Sequence, residues 1–366
     1  MGRSRLSLRT LSVRGLVGLA VLLVAVIGSA LGYRALKQNE NARDLAVHTP
    51  RGVQEAMFVR LGGVDQWVQV RGEDRDNPVL LFVHGGPGNA VSAFASLFRT
   101  WERDFTVVLW GQRCAGKTYA RTGVGGCEGM SLERVAKDGT ELSEFLRQRL
   151  HKSKIVVLGH SWGSMVALRM VHERPDLYSA YVGTGQVVSI PEKEPVVYDR
   201  AMAQLRGAHD EAGVRALQAV GRPPYRSSED LLVERNLSLR HDSAAERGLF
   251  ERLASVGLVA PGWSLWDTYQ YFQASPHAEA ATFADTADYD ARTLGRTFET
   301  PIFVFSGADD NVTPAALAQR YVEGLKGPKT EFVALPGAGH SAVLTEPEVF
   351  LRELDNRVRP IAIRAQ

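Results

Sequence analysis

The chain has 366 residues, 45% hydrophobic and 23% charged, which excludes a disordered protein and suits one large α/β domain or two ordinary ones. Its net charge of +2 is concentrated at the start, where Arg3, Arg5, Arg9 and Arg14 precede the first acidic residue, Glu40. Without residues 1–33 the body carries 39 basic against 41 acidic residues, which excludes the broad basic field that binding nucleic acid requires.

Behind the arginines, GLVGLAVLLVAVIGSALGY is apolar or small throughout. Residues 1–33 therefore read as an export segment, either a retained signal anchor or a cleaved signal peptide. Gly28-Ser29-Ala30 offers a cut after Ala30, whereas residues 16–31 are long for a signal-peptide core and sufficient for a tilted span. The length favours the anchor. Four arginines ahead of it put everything after Tyr33 outside the cytoplasm, membrane-anchored or, if the leader is cleaved, secreted.

Residues 34–52 are polar and lack a stable period, so they read as a linker. EAMFVRLGGVDQWVQVRG then holds two alternating runs around Gly62-Gly63, a hairpin signal. The runs PVLLFVHGG, FTVVLWG, SKIVVLGHS, YSAYVGTG, TPIFVFSG and TEFVALPG are strands, most of them continuously apolar as in a parallel sheet buried on both faces. Segments of helical period lie between most of them, predicting a mostly parallel, doubly wound sheet. Residues 190–297 break the alternation with polar and amphipathic helical segments, among them EPVVYDRAMAQLRGAHDEAGVRALQAV and GWSLWDTYQYF. The expected organisation is a core in two parts, 53–189 and 298–366, with a helical cap at 190–297 over the carboxyl ends of the strands.

Gly159-His160-Ser161-Trp162-Gly163 falls between the strand KIVVL and a helix. In that context G-x-S-x-G is a nucleophile elbow, whose glycines allow a turn sharp enough to project the serine hydroxyl. A serine needs a base to take its proton and a carboxylate to orient that base. His340, in PGAGHSA after the last strand, and Asp310, in FSGADDNVTP after another, supply them; Asp310 is preferred over Asp309, which suits solvent or a helix cap. The order Ser161, Asp310, His340 is that of an α/β-hydrolase triad. HGGPG at residues 84–88 also follows a strand, and the N–H groups of Gly86 and Trp162 are the expected oxyanion donors. Trp263, Trp266, Tyr269, Tyr271 and Phe272 either line the substrate pocket from the cap or pack the cap on the core; Trp263, Trp266 and Tyr269 are taken as pocket candidates.

Cys114 and Cys127, with twelve residues between them, are the only cysteines. No partner histidines accompany them, so a zinc site is a poor fit. Export favours a Cys114–Cys127 disulfide over two free thiols, a cross-link worth about 3 kcal/mol in the loop-entropy account.

HGGPG, GHSWGS, GADDNVTP and GAGH, in this order, resemble the proline iminopeptidase-like branch of the α/β hydrolases over about residues 53–357. The resemblance implies a hydrolase core with a helical cap, no metal or organic cofactor, and often removal of an N-terminal proline from a peptide whose free amine is held by cap carboxylates. Glu192, Glu194, Glu229 and Asp230 are available, but none matches the family pattern and solvated surface positions are expected for them. Where the family usually reads Asp-Gln-Arg-Gly, this chain has Gly111-Gln112-Arg113-Cys114, a departure that predicts an altered backbone at Cys114, since a left-handed residue bearing a side chain costs about 1–2 kcal/mol. In this fold the loop borders the pocket mouth, so a Cys114–Cys127 bridge would hold one wall of the site. The first reading is thus an exported serine aminopeptidase acting on a small peptide; a carboxylic ester hydrolase and a non-catalytic, membrane-tethered binding protein on the same scaffold are the alternatives.

Overall fold

The computed structural model describes residues 13–365, so Arg3, Arg5 and Arg9 lie outside the described residues. Eight strands form one sheet: β1 (Val53–Leu61), β2 (Val64–Gly72), β3 (Val79–Val83), β4 (Thr106–Gly111), β5 (Ile155–His160), β6 (Tyr178–Thr184), β7 (Ile302–Gly307) and β8 (Thr330–Leu335). Their order is β1-β2-β4-β3-β5-β6-β7-β8. β1, β2 and β4 pair antiparallel, and every other pairing is parallel. The β1–β2 turn is made by Gly62 and Gly63, at φ 50° and 80°, a left-handed pair that side chains disfavour.

The strands from β3 to β7 are buried along their whole length, which is why their sequences run apolar without alternation. Leu81 and Val83 join one hydrophobic cluster while Leu80 and Phe82 join another, so the sheet is covered on both faces. Chain order reverses at the centre, where β3 lies between β4 and β5. A crevice opens at the carboxyl ends of strands at such a switch point, and the HGGPG loop follows β3 as Ser161 follows β5.

In chain order the α-helices include α1 (Val13–Asp44), α2 (Gly116–Thr122), α3 (Leu132–Leu150), α4 (Trp162–Glu173), α5 (Ile190–Gly207), α6 (Glu211–Val220), α7 (Ser228–Arg240), α8 (Ala244–Leu258) and α9 (Leu265–Thr286), with α10 (Ala315–Glu323) between the last two strands. The five from α5 to α9 form an insert between β6 and β7. Each begins after a Ser or Asp whose side chain accepts a backbone N–H of the first turn: Ser189, Asp210, Ser227, Ser243 and Ser264. Such caps are worth about 1 kcal/mol apiece. Asp210 is why residues 194–220, one segment by period, divide into α5 and α6.

Residues 34–44 are not linker. They continue α1, because Arg34, Gln38 and Asn41 fall on one helical face and donate to carbonyls at the end of α8. Only residues beyond Asp44 run without helix to β1.

Candidate active site

β5 ends at His160 and α4 begins at Trp162, leaving Ser161 alone in the turn at φ 54°. Such strain is sparsely populated for a side-chain-bearing residue. The glycines make the turn possible: a Cβ on Gly163 would strike the Val83 carbonyl, and one on Gly159 would lie 2.8 Å from the Ser164 Cα. The Ser161 N–H donates to the Thr184 carbonyl at 3.0 Å, and the Ser164 hydroxyl donates to the Ser161 carbonyl at 2.6 Å, so the elbow is tied to β6 and to its own helix.

From this turn the Ser161 hydroxyl reaches His340 Nε2 at 3.0 Å. His340 Nδ1 donates to Asp310 Oδ2 at 3.0 Å, which leaves Nε2 as the acceptor for the serine proton. Asp310 is 1% exposed and held on every side: Oδ1 accepts the N–H groups of Val312 and Thr313 at 2.8 and 2.7 Å, and Oδ2 accepts the Thr313 hydroxyl at 2.6 Å. Asp309 is exposed and outside this network. Burial pushes the Asp310 carboxyl up, but the His340 charge and the hydrogen bonds outweigh it and hold it below the usual carboxylate range. For His340 burial pushes down, and Asp310 more than compensates, leaving the imidazole above its ordinary value. The His160 ring lies 5.2 Å from it, tilted by 42°; burial and the His340 charge push His160 down to about 3, so it is neutral near pH 7.

The HGGPG loop lies against the elbow. A Cβ on Gly85 would come within 3.0 Å of the Ser161 Cβ, and one on Gly86, at φ 112°, within 2.8 Å of the Gly88 nitrogen. The loop is fixed by Gln112, whose amide donates to the His84 carbonyl at 3.0 Å and whose carbonyl accepts the Trp162 indole N–H at 3.1 Å. Gly86 and Trp162 both border the cavity that holds Ser161 and His340. Trp162 opens α4, where first-turn N–H groups have no acceptor within the helix.

That cavity measures about 730 Å³ and is lined on the side facing the insert by residues of α5, α7, α8 and α9. Of the three aromatic pocket candidates, only Trp263 lines it. Trp266 and Tyr269 do not: they are 57% and 55% exposed, because α9 turns its buried face, Ala274 and Ala278, toward the core. Tyr271 and Phe272, from the same group, do line the wall.

The expectation of a solvated Glu194 is also corrected. Glu194 is 4% exposed and paired with Lys193 Nζ at 2.5 Å and with Arg235, which also pairs with buried Glu234. Burial pushes its carboxyl up, but Arg235 and Lys193 prevail and hold it down to about 2. One oxygen, Oε2, has no hydrogen-bond partner among the described residues. Glu279, which sequence reasoning does not single out, lines the same end of the cavity, and burial pushes its carboxyl up to about 7 against the pull of Arg235 and Lys193. Glu192, by contrast, pairs with Arg292 at the surface, and Glu229 is exposed. Among the described residues no group of His, Cys, Asp or Glu is arranged to hold a metal ion.

The α/β hydrolase fold family matches residues 78–347. The chain belongs to that family. A probable aminopeptidase of Bacillus subtilis is 25% identical to this hydrolase over 303 residues, 82% of this chain and 94% of the relative. A probable proline iminopeptidase of Streptomyces coelicolor is 27% identical over 302 residues, 76% of this chain and 87% of the relative. In three dimensions the hydrolase is similar to the proline iminopeptidase of Mycobacterium smegmatis, with a TM-score of 0.60 and 18% identity over 85% of this chain and all of that one, a likeness of fold.

Cys114 and Cys127 are bridged in this hydrolase, their Cα atoms 4.8 Å apart. The left-handed conformation that a side chain is expected to exclude at Cys114 is present. Cys114 keeps a left-handed conformation, φ 58°, whose cost of about 1–2 kcal/mol is smaller than the roughly 3 kcal/mol a loop of this length gains from a cross-link. The bridged loop carries α2, which supports α9: Tyr119 meets His277 at 3.2 Å and Lys117 donates to the Gly262 carbonyl at 2.6 Å. In turn α9 sits on the HGGPG loop, with Ser275 donating to the Pro87 carbonyl at 3.0 Å. Reduction of the bridge is therefore expected to lower stability by up to about 3 kcal/mol, measured by denaturant melts with and without reductant, and to raise KM, measured by steady-state kinetics. Equal melts, with both thiols alkylated in unreduced protein, would contradict this.

Proposed function

We propose that this hydrolase is a serine aminopeptidase that removes a small N-terminal residue such as proline from a peptide. The observation that carries the reading is that the Ser161–His340–Asp310 chain shares one cavity with two insert carboxylates, Glu194 and Glu279. Lys193 and Arg235 balance Glu194 and Glu234, so an ionised Glu279 leaves one negative charge in surplus. A substrate ammonium would complete the set, donating to Glu279 and to the unpartnered Oε2 of Glu194. With the amine there, Ser161 Oγ attacks the first carbonyl carbon as His340 Nε2 takes its proton, and the N–H groups of Gly86 and Trp162 hold the oxyanion. His340 then protonates the leaving amine. Water, deprotonated by the same imidazole, hydrolyses the acyl-enzyme and restores Ser161.

The carboxylates predict the pH dependence. Activity requires neutral His340, so it is lost as pH falls through a value above the ordinary imidazole pKa. Free-amine substrates additionally require ionised Glu279, lost as pH falls through about 7. On the acid side log kcat/KM should rise with a slope near 2 for a prolyl arylamide and near 1 for a neutral ester. Glu279→Gln should return the arylamide slope to about 1 and weaken its kcat/KM at least about tenfold, as expected for losing a charge-assisted hydrogen bond. Equal slopes in the unmodified enzyme would contradict the amine site.

Ester hydrolysis is the second reading, favoured by the apolar stretch of wall at Leu249, Phe250, Leu253 and Phe272, which suits an acyl chain. Parallel assays on a prolyl arylamide and a short acyl ester discriminate the two. Fluorophosphonate labelling discriminates both from a binding protein: an adduct on Ser161 supports an enzyme, and its absence supports the binder. For α1, we infer a retained anchor with the hydrolase domain outside the cytoplasm, supported by an apolar helix long enough to cross a membrane.

A further inference from the structure

Among the described residues, the apolar part of α1 is buried against no other element. Its large side chains from Leu16 to Leu31 are exposed all round, between 48% and 70%, and an unbroken helix of that kind requires lipid. Just beyond it the same helix docks. Arg34 donates to the Leu258 carbonyl at 2.8 Å and to the Trp263 carbonyl at 2.6 Å; Gln38 donates to Ala260 and Trp263, each at 2.8 Å; Asn41 donates to Val259 at 3.1 Å. These carbonyls belong to the end of α8 and the turn after it, where a helix leaves its last acceptors unpaired, and where a cation also suits the helix dipole.

The docking fixes the depth of the insert. Arg34 lies three residues past Leu31, so the turn at 258–263 sits about 5 Å along the helix axis beyond the apolar run, at the level of lipid headgroups. Around that turn the surface is apolar and aromatic: Leu258, Leu265, Trp266 and Tyr269 are 47% to 57% exposed, and Tyr33, next to Arg34 on α1, is 63% exposed. Tryptophan and tyrosine are the side chains that partition to this depth, with an apolar ring and a polar tip. Further along the same two helices Phe250 and Phe272, 66% and 45% exposed, face each other across 6.2 Å and also line the active-site cavity. The apolar surface is therefore continuous with the rim of the cavity.

We propose that the ends of α8 and α9 around this turn form a bilayer-contacting surface, seated in the headgroup region by α1, which sets the Phe250–Phe272 rim close to the membrane. The partner is the lipid bilayer that the anchor spans. This rests on the reading of α1 as a retained anchor, and it explains why the segment after the span is a rigid docked helix: a flexible linker would leave the depth and tilt of the cavity undefined.

Trp266 is the one exposed tryptophan among the described residues, which makes the surface directly observable. Full-length protein would be placed in nanodiscs of phosphatidylethanolamine and phosphatidylglycerol, with or without bromine high on the acyl chains, and its retained leader checked by intact mass. Brominated lipid should quench tryptophan emission, and Trp266→Phe, which keeps the ring and the fold, should lose that quenching while retaining the circular dichroism spectrum. Loss of residues 1–30 would overturn the anchor and the surface together. An intact chain that shows no quenching, or equal quenching in Trp266→Phe, would overturn the surface alone. So would a Trp266→Asp variant that dissolves a dimer in detergent, since the face would then belong to a second copy.

Discussion

Replacing Ser161 with alanine is expected to lower kcat by at least about 10³-fold, because the group removed is the one that forms the bond and only the oxyanion donors and substrate binding remain. Stability should hardly change. The Ser161 side chain contributes a single hydrogen bond, to His340, and the features that shape the elbow, Gly159, Gly163 and the backbone bond to Thr184, are untouched. Steady-state kinetics on a prolyl arylamide, with a thermal melt beside them, check both halves. A variant retaining more than about a tenth of the activity at an unchanged melting temperature would remove Ser161 from the reaction.

Asp310→Asn is expected to cost about 10⁴-fold in kcat, whereas Asp309→Asn should stay within about twofold. The large loss follows from the acceptor count. All of Asp310's contacts require oxygen: two backbone N–H groups on Oδ1, and the Thr313 hydroxyl and His340 Nδ1–H on Oδ2. An asparagine has one carbonyl oxygen. Pairing it with the backbone turns its NH₂ toward His340, which must then shed its Nδ1 proton and carry one on Nε2, where it can no longer accept from Ser161. The charge that holds the imidazole above its ordinary pKa also disappears, so any residual activity should have its acid limit shifted downward. Losses of similar size in the two variants would transfer the role to Asp309 or deny it to both.

The elements legible in the sequence are those whose signal is local. Buried strands read as apolar runs, and the residues that follow them, Gly86, Ser161, Asp310 and His340, inherit their position from the strand ends. Information about facing and pairing across the insert is not local. Glu194 looks like surface charge until Arg235, forty-one residues away on another helix, is folded against it. Glu279 lies in α9 among alanines, and nothing nearby marks it as a cavity residue. Trp263 and Trp266 are three residues apart, yet one is buried in the wall and the other exposed, a difference set by the contacts of α9 with α2 and the HGGPG loop. Residues 34–44 have no apolar period because their partners are carbonyls, and only the folded end of α8 reveals the i, i+4, i+7 face. At Cys114 the left-handed penalty is real but smaller than the gain from its bridge, and the sequence shows the first without the second.

Attack by Ser161 on a substrate whose free amine is held by Glu194 and Glu279 can be checked by comparing kcat/KM for a prolyl arylamide with that for the same compound acetylated on its nitrogen. Acetylation leaves the scissile bond in place and removes the charge. A preference for the free amine of at least about tenfold is expected, the size of one charge-assisted hydrogen bond, and it should disappear in Glu279→Gln. Equal rates on the two arylamides, or hydrolysis of a short acyl ester with both arylamides left intact, would contradict it.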